Sequence, residues 1–203
     1  MNPLPRFLVT GFEPFGSAKV NPTERIVHGL QFALDDDPPF LLETMVLPVT
    51  SIASDLVIDR LSGEQQKLRP IDHVLHLGLH MKIEDIALER VAINLDDYRI
   101  PDNEGIQVVD RPIDPNGKNA LFSTVPTREF EKILWEEEIP CHLSYSAGTY
   151  LCNHLLYTTL NHLERSGSST TCGFIHVPPF DHMDLETMTR AVLRIMDVLR
   201  RPV

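Results

Sequence analysis

Residues 173–201 read GFIHVPPFDHMDLETMTRAVLRIMDVLRR, and two periodicities meet in them. GFIHVPPF (173–180) is a short apolar run closed by prolines, the pattern of a strand. Over 184–201, Leu185, Met188, Ala191, Val192, Ile195, Met196 and Leu199 recur at three- and four-residue steps, so they share one face of a helix. A strand followed by an amphipathic helix is the repeating unit of an α/β fold.

The same alternation runs outward through the chain. RFLVTGF (6–12), LLETMVLPV (about 42–49), HVLHLGL (73–79) and HLSYS (142–146) read as strands, rich in Val, Ile, Leu and Phe and bounded by Gly or Pro. ALERVAINL (87–95) reads as a further strand. Between them, 22–34, 50–67, 127–138 and 149–165 read as helices. Pro22 suits a first helical position, with Asn21 before it as the cap. The expected fold is α/β: a three-layer α/β/α sandwich, with helices on both faces of a mainly parallel, twisted sheet. One stretch breaks the rhythm. DDYRIPDNEGIQVVDRPIDPNGKNALFSTVP (96–126) is dominated by Pro, Gly, Asp and Asn, and a connection that long suggests a lid or binding loop on the active-site side. Residues 1–203 are expected to form a single domain.

The bulk numbers narrow the function classes. With 203 residues, 42% hydrophobic and 23% charged, the chain has the composition of a globular protein with a sizeable core. A formal net charge of -11 argues against nucleic acid or an anionic membrane as partner. No apolar stretch approaches the ~20 residues that span a bilayer. Prolines and Glu13 spoil the N-terminal run as a signal peptide, so the expected location is cytoplasmic. The three cysteines, Cys141, Cys152 and Cys172, are then expected to be reduced. Their odd number and the lack of C-x-x-C spacing speak against a disulfide framework or a structural zinc.

Chemistry concentrates at a few places. In YSAGTYLCNHLLY (145–157), a turn at Gly148 and a cap at Thr149 would put Cys152 near the third position of a helix, where the dipole and free N–H groups favour a thiolate. The alternative is a small core residue among Leu151, Leu155, Leu156 and Leu160. Cys141 and Cys172 precede no helix and read as structural. His176 lies near the carboxyl end of a strand, the edge where open α/β sheets bind ligands, or else is a hydrogen-bonded structural histidine. His154, two residues beyond Cys152, points away from it. Glu89 sits in an apolar run, where a carboxylate needs a partner, and Arg90 offers a structural ion pair. Phe12 and Phe15, in VTGFEPFGSAKVNP, would either line an apolar ligand pocket or close the end of the core. Neither H-E-x-x-H nor a phosphate loop is present, so no metal or cofactor is called for.

TGFEPFG followed by NP, then ERVAIN, RIPDNEG, SAGTYLCN and FIHVP, in that order and from the first strand to the last, resemble the pyroglutamyl peptidase type I family (pyrrolidone-carboxylate peptidases). The resemblance implies a cytosolic cysteine peptidase that removes N-terminal pyroglutamate (5-oxoproline), with Glu89, Cys152 and His176 as catalytic triad. It also implies a pyrrolidone pocket using Phe12, Phe15, Asn21 and Leu151, with Arg99 as a polarising or oxyanion group. One position departs: Leu79 stands where many bacterial members carry glutamine, and further glycines usually follow.

In the implied mechanism the Cys152 thiolate attacks the pyroglutamyl carbonyl, His176 acts as acid and base, and Glu89 holds the imidazole while a thioester forms and hydrolyses. No metal or organic cofactor takes part. The implied partners are a pyroglutamyl peptide and further copies of the chain, as a dimer or tetramer. Two other readings stand beside it: a catalytically weak or inactive pyroglutamyl-like binding protein of the same fold, and a metal-dependent hydrolase using His and Asp around HVPPFDHMD.

Overall fold

The computed structural model describes residues 4–16, 19–30 and 38–201. In chain order the elements are β1 (Arg6–Phe12), α1 (Pro22–Leu30), β2 (Leu41–Leu47), α2 (Ile52–Ser62), α3 (Glu64–Leu68), β3 (His73–Leu79), β4 (Ile86–Glu89), β5 (Val91–Ile93), β6 (Ala120–Phe122), α4 (Thr127–Glu136), β7 (Cys141–Ser144), α5 (Leu151–Ser166), β8 (Thr171–Val177) and α6 (Leu185–Leu199). Of the helix expected over 22–34, the last four residues lie outside the described residues.

Strands with both faces covered have no need of polar alternation. Accordingly β1, β3 and β8 are each buried along all but their first residue. Six strands form one sheet in the order β2-β1-β3-β8-β4-β7. β2, β1, β3 and β8 run parallel, whereas β4 is antiparallel to β8 and parallel to β7, so the last two strands are reversed. Successive side chains of a strand point to opposite faces. Phe7, Val9, Leu75, Leu77, Ile175 and Val177 therefore pack with α1, α4 and α6. Leu8, Val74, Cys172 and Phe174 pack with α2 and α5. The result is the three-layer sandwich. On α6, the expected stripe is buried at Met188, Ala191, Val192, Ile195 and Met196, and Asp184 caps the helix by accepting the Thr187 N–H at 2.7 Å.

Three expectations need correction. ALERVAINL is two strands: Arg90 separates β4, inside the main sheet, from β5, which pairs antiparallel with β6. The 96–126 stretch is more ordered than a loop. Besides β6, it holds a hairpin-like strap in which Asp96 bridges Arg111 and the Tyr98 N–H bonds Val108 at 2.7 Å. Its tip is pinned to the β1–α1 loop, where Asn103 donates to Glu13 Oε1 at 2.8 Å and to the Pro14 carbonyl at 3.2 Å. Finally, the 50–67 helix is divided at Gly63 into α2 and α3.

Candidate active site

Cys152 stands at the second position of α5. The N-cap is Tyr150, not the expected Thr149, and no side chain caps the first turn. Thr149 is taken up elsewhere: its hydroxyl donates to the Asp97 carbonyl at 2.7 Å, and its own carbonyl accepts the Asp97 N–H at 3.0 Å. The strap is thus tied to the turn before the helix. Gly148 has φ +77°, a left-handed conformation that a side chain would strain. The first-turn N–H groups of α5, with no side chain to accept them, make an anion-favouring end beside the thiol. Of the three cysteines only Cys152 is not buried. Burial pushes the Cys141 thiol up to about 12 and the Cys172 thiol higher still, so both stay protonated.

His176 is next to last on β8 and Glu89 ends β4. In the antiparallel register Ala87 lies opposite His176 and Glu89 opposite Phe174, so Glu89 and His176 are diagonal neighbours on one face. The His176 Nδ1–H donates to Glu89 Oε1 at 2.7 Å, with both side chains nearly inaccessible. This bond occupies Nδ1 and leaves Nε2 as the free ring nitrogen. Arg90, the other partner considered for Glu89, turns instead to the Tyr145 hydroxyl at 3.2 Å. Burial alone would pull the His176 imidazolium below its usual range, but the Cys152 charge and hydrogen bond, together with Glu89, outweigh it and raise its pKa. His80 faces His176 edge-on with ring centroids 5.4 Å apart. Burial first, and then the His176 charge, lower the His80 pKa and favour its neutral form.

Gly78 makes room for this group. It is the register partner of His176 on β3, and a Cβ there would lie 3.0 Å from Cys152 Sγ and 2.7 Å from the Phe174 ring. The thiol therefore packs over bare backbone. One residue beyond it, buried Asn153 accepts the Ile93 N–H at 2.9 Å and donates to the carbonyls of Ile93 at 2.9 Å and Leu95 at 3.1 Å. It fastens β5 to the helix that carries Cys152.

Two cavities meet at Cys152. A slot of about 50 Å³ is lined by Phe12, Phe15, Asn21, Val49, Leu79, Tyr150, Leu151 and Cys152. A wider cleft of about 350 Å³ shares Phe15, Leu79, Tyr150 and Cys152, and adds His176 and the strap residues Asp97, Arg99 and Ile100. Phe12, Phe15, Asn21 and Leu151 are thus brought together in the slot, while Arg99 belongs to the open cleft. The Asn21 amide is largely engaged already: Oδ1 accepts from the Thr23 N–H at 3.0 Å and the Thr23 hydroxyl at 2.9 Å, and Nδ2 donates to the Glu13 carbonyl at 3.0 Å. One amide hydrogen remains.

Other histidines are accounted for separately. His154 pairs with Asp96 at 2.8 Å, and buried His76 lies between the hydroxyls of Thr10 at 2.8 Å and Thr159 at 3.1 Å. Among the described residues no three His, Cys, Asp or Glu side chains converge as a metal-ligand set. Nor is any helix among them long and apolar enough to cross a membrane. Sequence reasoning missed Gly78, Asn153 and His80. A buried amide among leucines at 151–156 was a readable signal for the second, and the other two had none.

A thiol at a helix start, an imidazole with one nitrogen anchored on a buried carboxylate, and an apolar slot beside them can carry out acyl transfer through a thioester. Comparison with known proteins points the same way. The pyroglutamyl peptidase family profile matches residues 5–192. The pyrrolidone-carboxylate peptidase of Pyrococcus furiosus is 43% identical over 174 residues, covering 85% of this chain and 80% of the relative. Pyrrolidone-carboxylate peptidase 1 of Caldanaerobacter subterraneus is 35% identical over 195 residues, covering 96% and 93%. The crystal structure of the pyrrolidone carboxyl peptidase of Fervidobacterium islandicum AW-1 superposes with a TM-score of 0.86 at 36% identity, over 96% of this chain and 98% of that one.

Proposed function

This chain belongs to the pyroglutamyl peptidase family, whose members are cysteine-type hydrolases, and from that premise we propose that it removes N-terminal pyroglutamate from peptides with a Glu89–Cys152–His176 triad. The Cys152 thiolate attacks the carbonyl that joins pyroglutamate to the next residue. The tetrahedral oxyanion is stabilised by the first-turn N–H groups of α5, such donors contributing roughly 3 kcal/mol each in comparable sites. His176 Nε2–H protonates the leaving amine. The neutral ring then takes a proton from water, which hydrolyses the thioester and releases pyroglutamate. Glu89 fixes the ring through Nδ1 and offsets its charge.

The slot supplies the specificity. Phe12 and Phe15 flank the flat lactam, Leu151 closes one wall, and the remaining Asn21 amide hydrogen suits the ring carbonyl. A free N-terminus would bring an ammonium into an apolar space and lose its hydration, so ordinary peptides are excluded. The single observation that carries the reading is the thiol's position where a small, mostly apolar slot meets a wider cleft that is also lined by the Glu89-anchored imidazole.

The test is hydrolysis of a pyroglutamyl fluorogenic amide beside its prolyl and glutamyl counterparts, by wild type and by Cys152→Ser. Cleavage of the pyroglutamyl compound alone, abolished in the variant, is the expected result. No cleavage by folded, reduced wild type would favour a binding protein of the same fold, with Leu79 at the slot's edge as its first suspect. Activity surviving in Cys152→Ser would remove the nucleophile. Self-association in the cytosol as a dimer or tetramer belongs to the same proposal, and a monomer mass in light scattering would overturn that part.

A further inference from the structure

Lys82, from the turn after β3, and Arg99, from the strap, line the open cleft beside Cys152 and His176. The chain carries a net charge of -11, yet these two cations have no ion-pair partner among the described residues. Arg60 on Glu43, Lys118 on Glu164, Arg165 on Asp114 and Arg194 on Glu137 are matched, whereas other cations without an ion pair among the described residues, such as Arg69 and Arg190, do not line this cleft. Among the described residues the one carboxylate on the cleft wall is Asp97, whose Oδ1 accepts the Asp110 N–H at 3.3 Å within the strap. His80 also lines it, and its Nδ1 accepts the Lys82 N–H at 3.3 Å.

Resting on the proposed function, we infer that this cleft is a subsite for a carboxylate on the residue that follows pyroglutamate. The slot takes the lactam, so the leaving residue must lie in the wider cleft that shares Cys152 with it, and Lys82 and Arg99, from separate segments of the chain, line that cleft. Two unpaired cations against one tethered carboxylate make that space locally positive within an acidic protein, which attracts an anion and orients it. The carboxylate has two sources: an acidic side chain at the second position, or the free terminus of a pyroglutamyl dipeptide.

Matched substrate pairs separate them. The kcat/KM of pyroglutamyl-Glu-amide is compared with that of pyroglutamyl-Gln-amide, and pyroglutamyl-Ala with pyroglutamyl-Ala-amide, for wild type, Lys82→Gln and Arg99→Gln. At low ionic strength the carboxylate member is favoured roughly 2- to 5-fold in one arm, as for exposed charge pairs, and the preference shrinks with added salt. Both variants bring the ratio toward one, and because the ratio is taken within one enzyme, any general loss of activity cancels. The arm that shows the preference names the source. A ratio of one or below in both arms, or a ratio untouched by either substitution, overturns the inference alone. Failure to cleave any pyroglutamyl compound overturns the proposed function and takes this subsite with it.

Discussion

Glu89→Gln probes the triad through the ionisation of His176. The wild-type bond from His176 Nδ1 to Glu89 Oε1 is 2.7 Å and buried. A hydrogen bond to a charged group contributes about 1.5–3 kcal/mol. The glutamine can keep a neutral bond of about 0.5–1.5 kcal/mol, so the net loss is about 1–1.5 kcal/mol, and at about 1.4 kcal/mol per pKa unit the His176 pKa should fall by roughly one unit. The sign follows from the environment: burial favours the neutral ring, and Cys152 and Glu89 together overcome it. Removing Glu89 leaves only Cys152 to hold the proton, since His80, the third titratable group facing the ring, acts in the opposite sense. The alkaline limb of the kcat/KM profile, where the imidazolium is lost, should therefore move to lower pH. The rate at its maximum should fall roughly 10²- to 10⁴-fold, the range seen when the base of a nucleophile loses its orienting partner. Folding should survive. Glu89 Oε2 has no hydrogen-bond partner among the described residues, so the amide nitrogen can occupy that side without breaking a bond while the carbonyl oxygen keeps the Nδ1 bond. The assay is a pH series on the fluorogenic pyroglutamyl amide, with circular dichroism as control for folding. An alkaline limb that stays in place or moves upward would refute the assignment of Glu89 as the group that keeps His176 charged.

Gly78→Ala would drive a methyl to within 2.7 Å of the Phe174 ring and 3.0 Å of Cys152 Sγ. Overpacking of this kind costs about 1–3 kcal/mol, and both the melting temperature and the alkylation rate of Cys152 should fall. An unchanged alkylation rate would mean the thiol does not depend on that space. Asn153→Ala removes three bonds from α5, two to Ile93 of β5 and one to Leu95 just beyond it, and leaves the Ile93 N–H without its acceptor. The expected loss is about 2–3 kcal/mol in urea unfolding, and a change under about 0.5 kcal/mol would show that water or backbone replaces the amide. A limiting amount of iodoacetamide at neutral pH should label Cys152 alone, because Cys141 and Cys172 are buried and protonated. Peptide mapping that finds either of those two labelled first in the folded protein would contradict this.

The strands and amphipathic helices of the main sandwich were readable because each is several residues long and its apolar pattern is set by one or two packed faces. Strand direction was not readable. Nothing in IALE distinguishes an antiparallel β4 from a parallel one, since its four residues are buried either way. ALERVAINL looked continuous for the same reason: both β4 and β5 are apolar, and the break at Arg90 is a change of sheet rather than of composition. The strap defeated periodicity because its paired pieces are one to three residues long. Thr149 looked like a cap, but its hydroxyl had a stronger claim on it from a carbonyl 52 residues away. In the site, Glu89, Cys152 and His176 stood out as residue types in unusual company, and the fold brings Cys152 and His176 to one cleft with Glu89 buried behind the imidazole. Gly78 and His80 matter only through what lies across from them in space, and a linear reading has no access to that.

The strand order has a consequence for the life of the chain on the ribosome. β8 follows every other strand in sequence, yet it sits inside the sheet, between β3 and β4. His73 of β3 bonds Thr171 of β8 across 98 residues of chain. Until β8 is made, β3 and β4 have bare edges, an invitation to aggregate that falls to chaperones during synthesis. The imidazole travels on that same strand, 87 residues after the carboxylate that anchors it. Closure of the sheet and, in the proposed reaction, delivery of the base are therefore one event, so a nascent chain that already carries Cys152 is expected to hydrolyse nothing until β8 has been made.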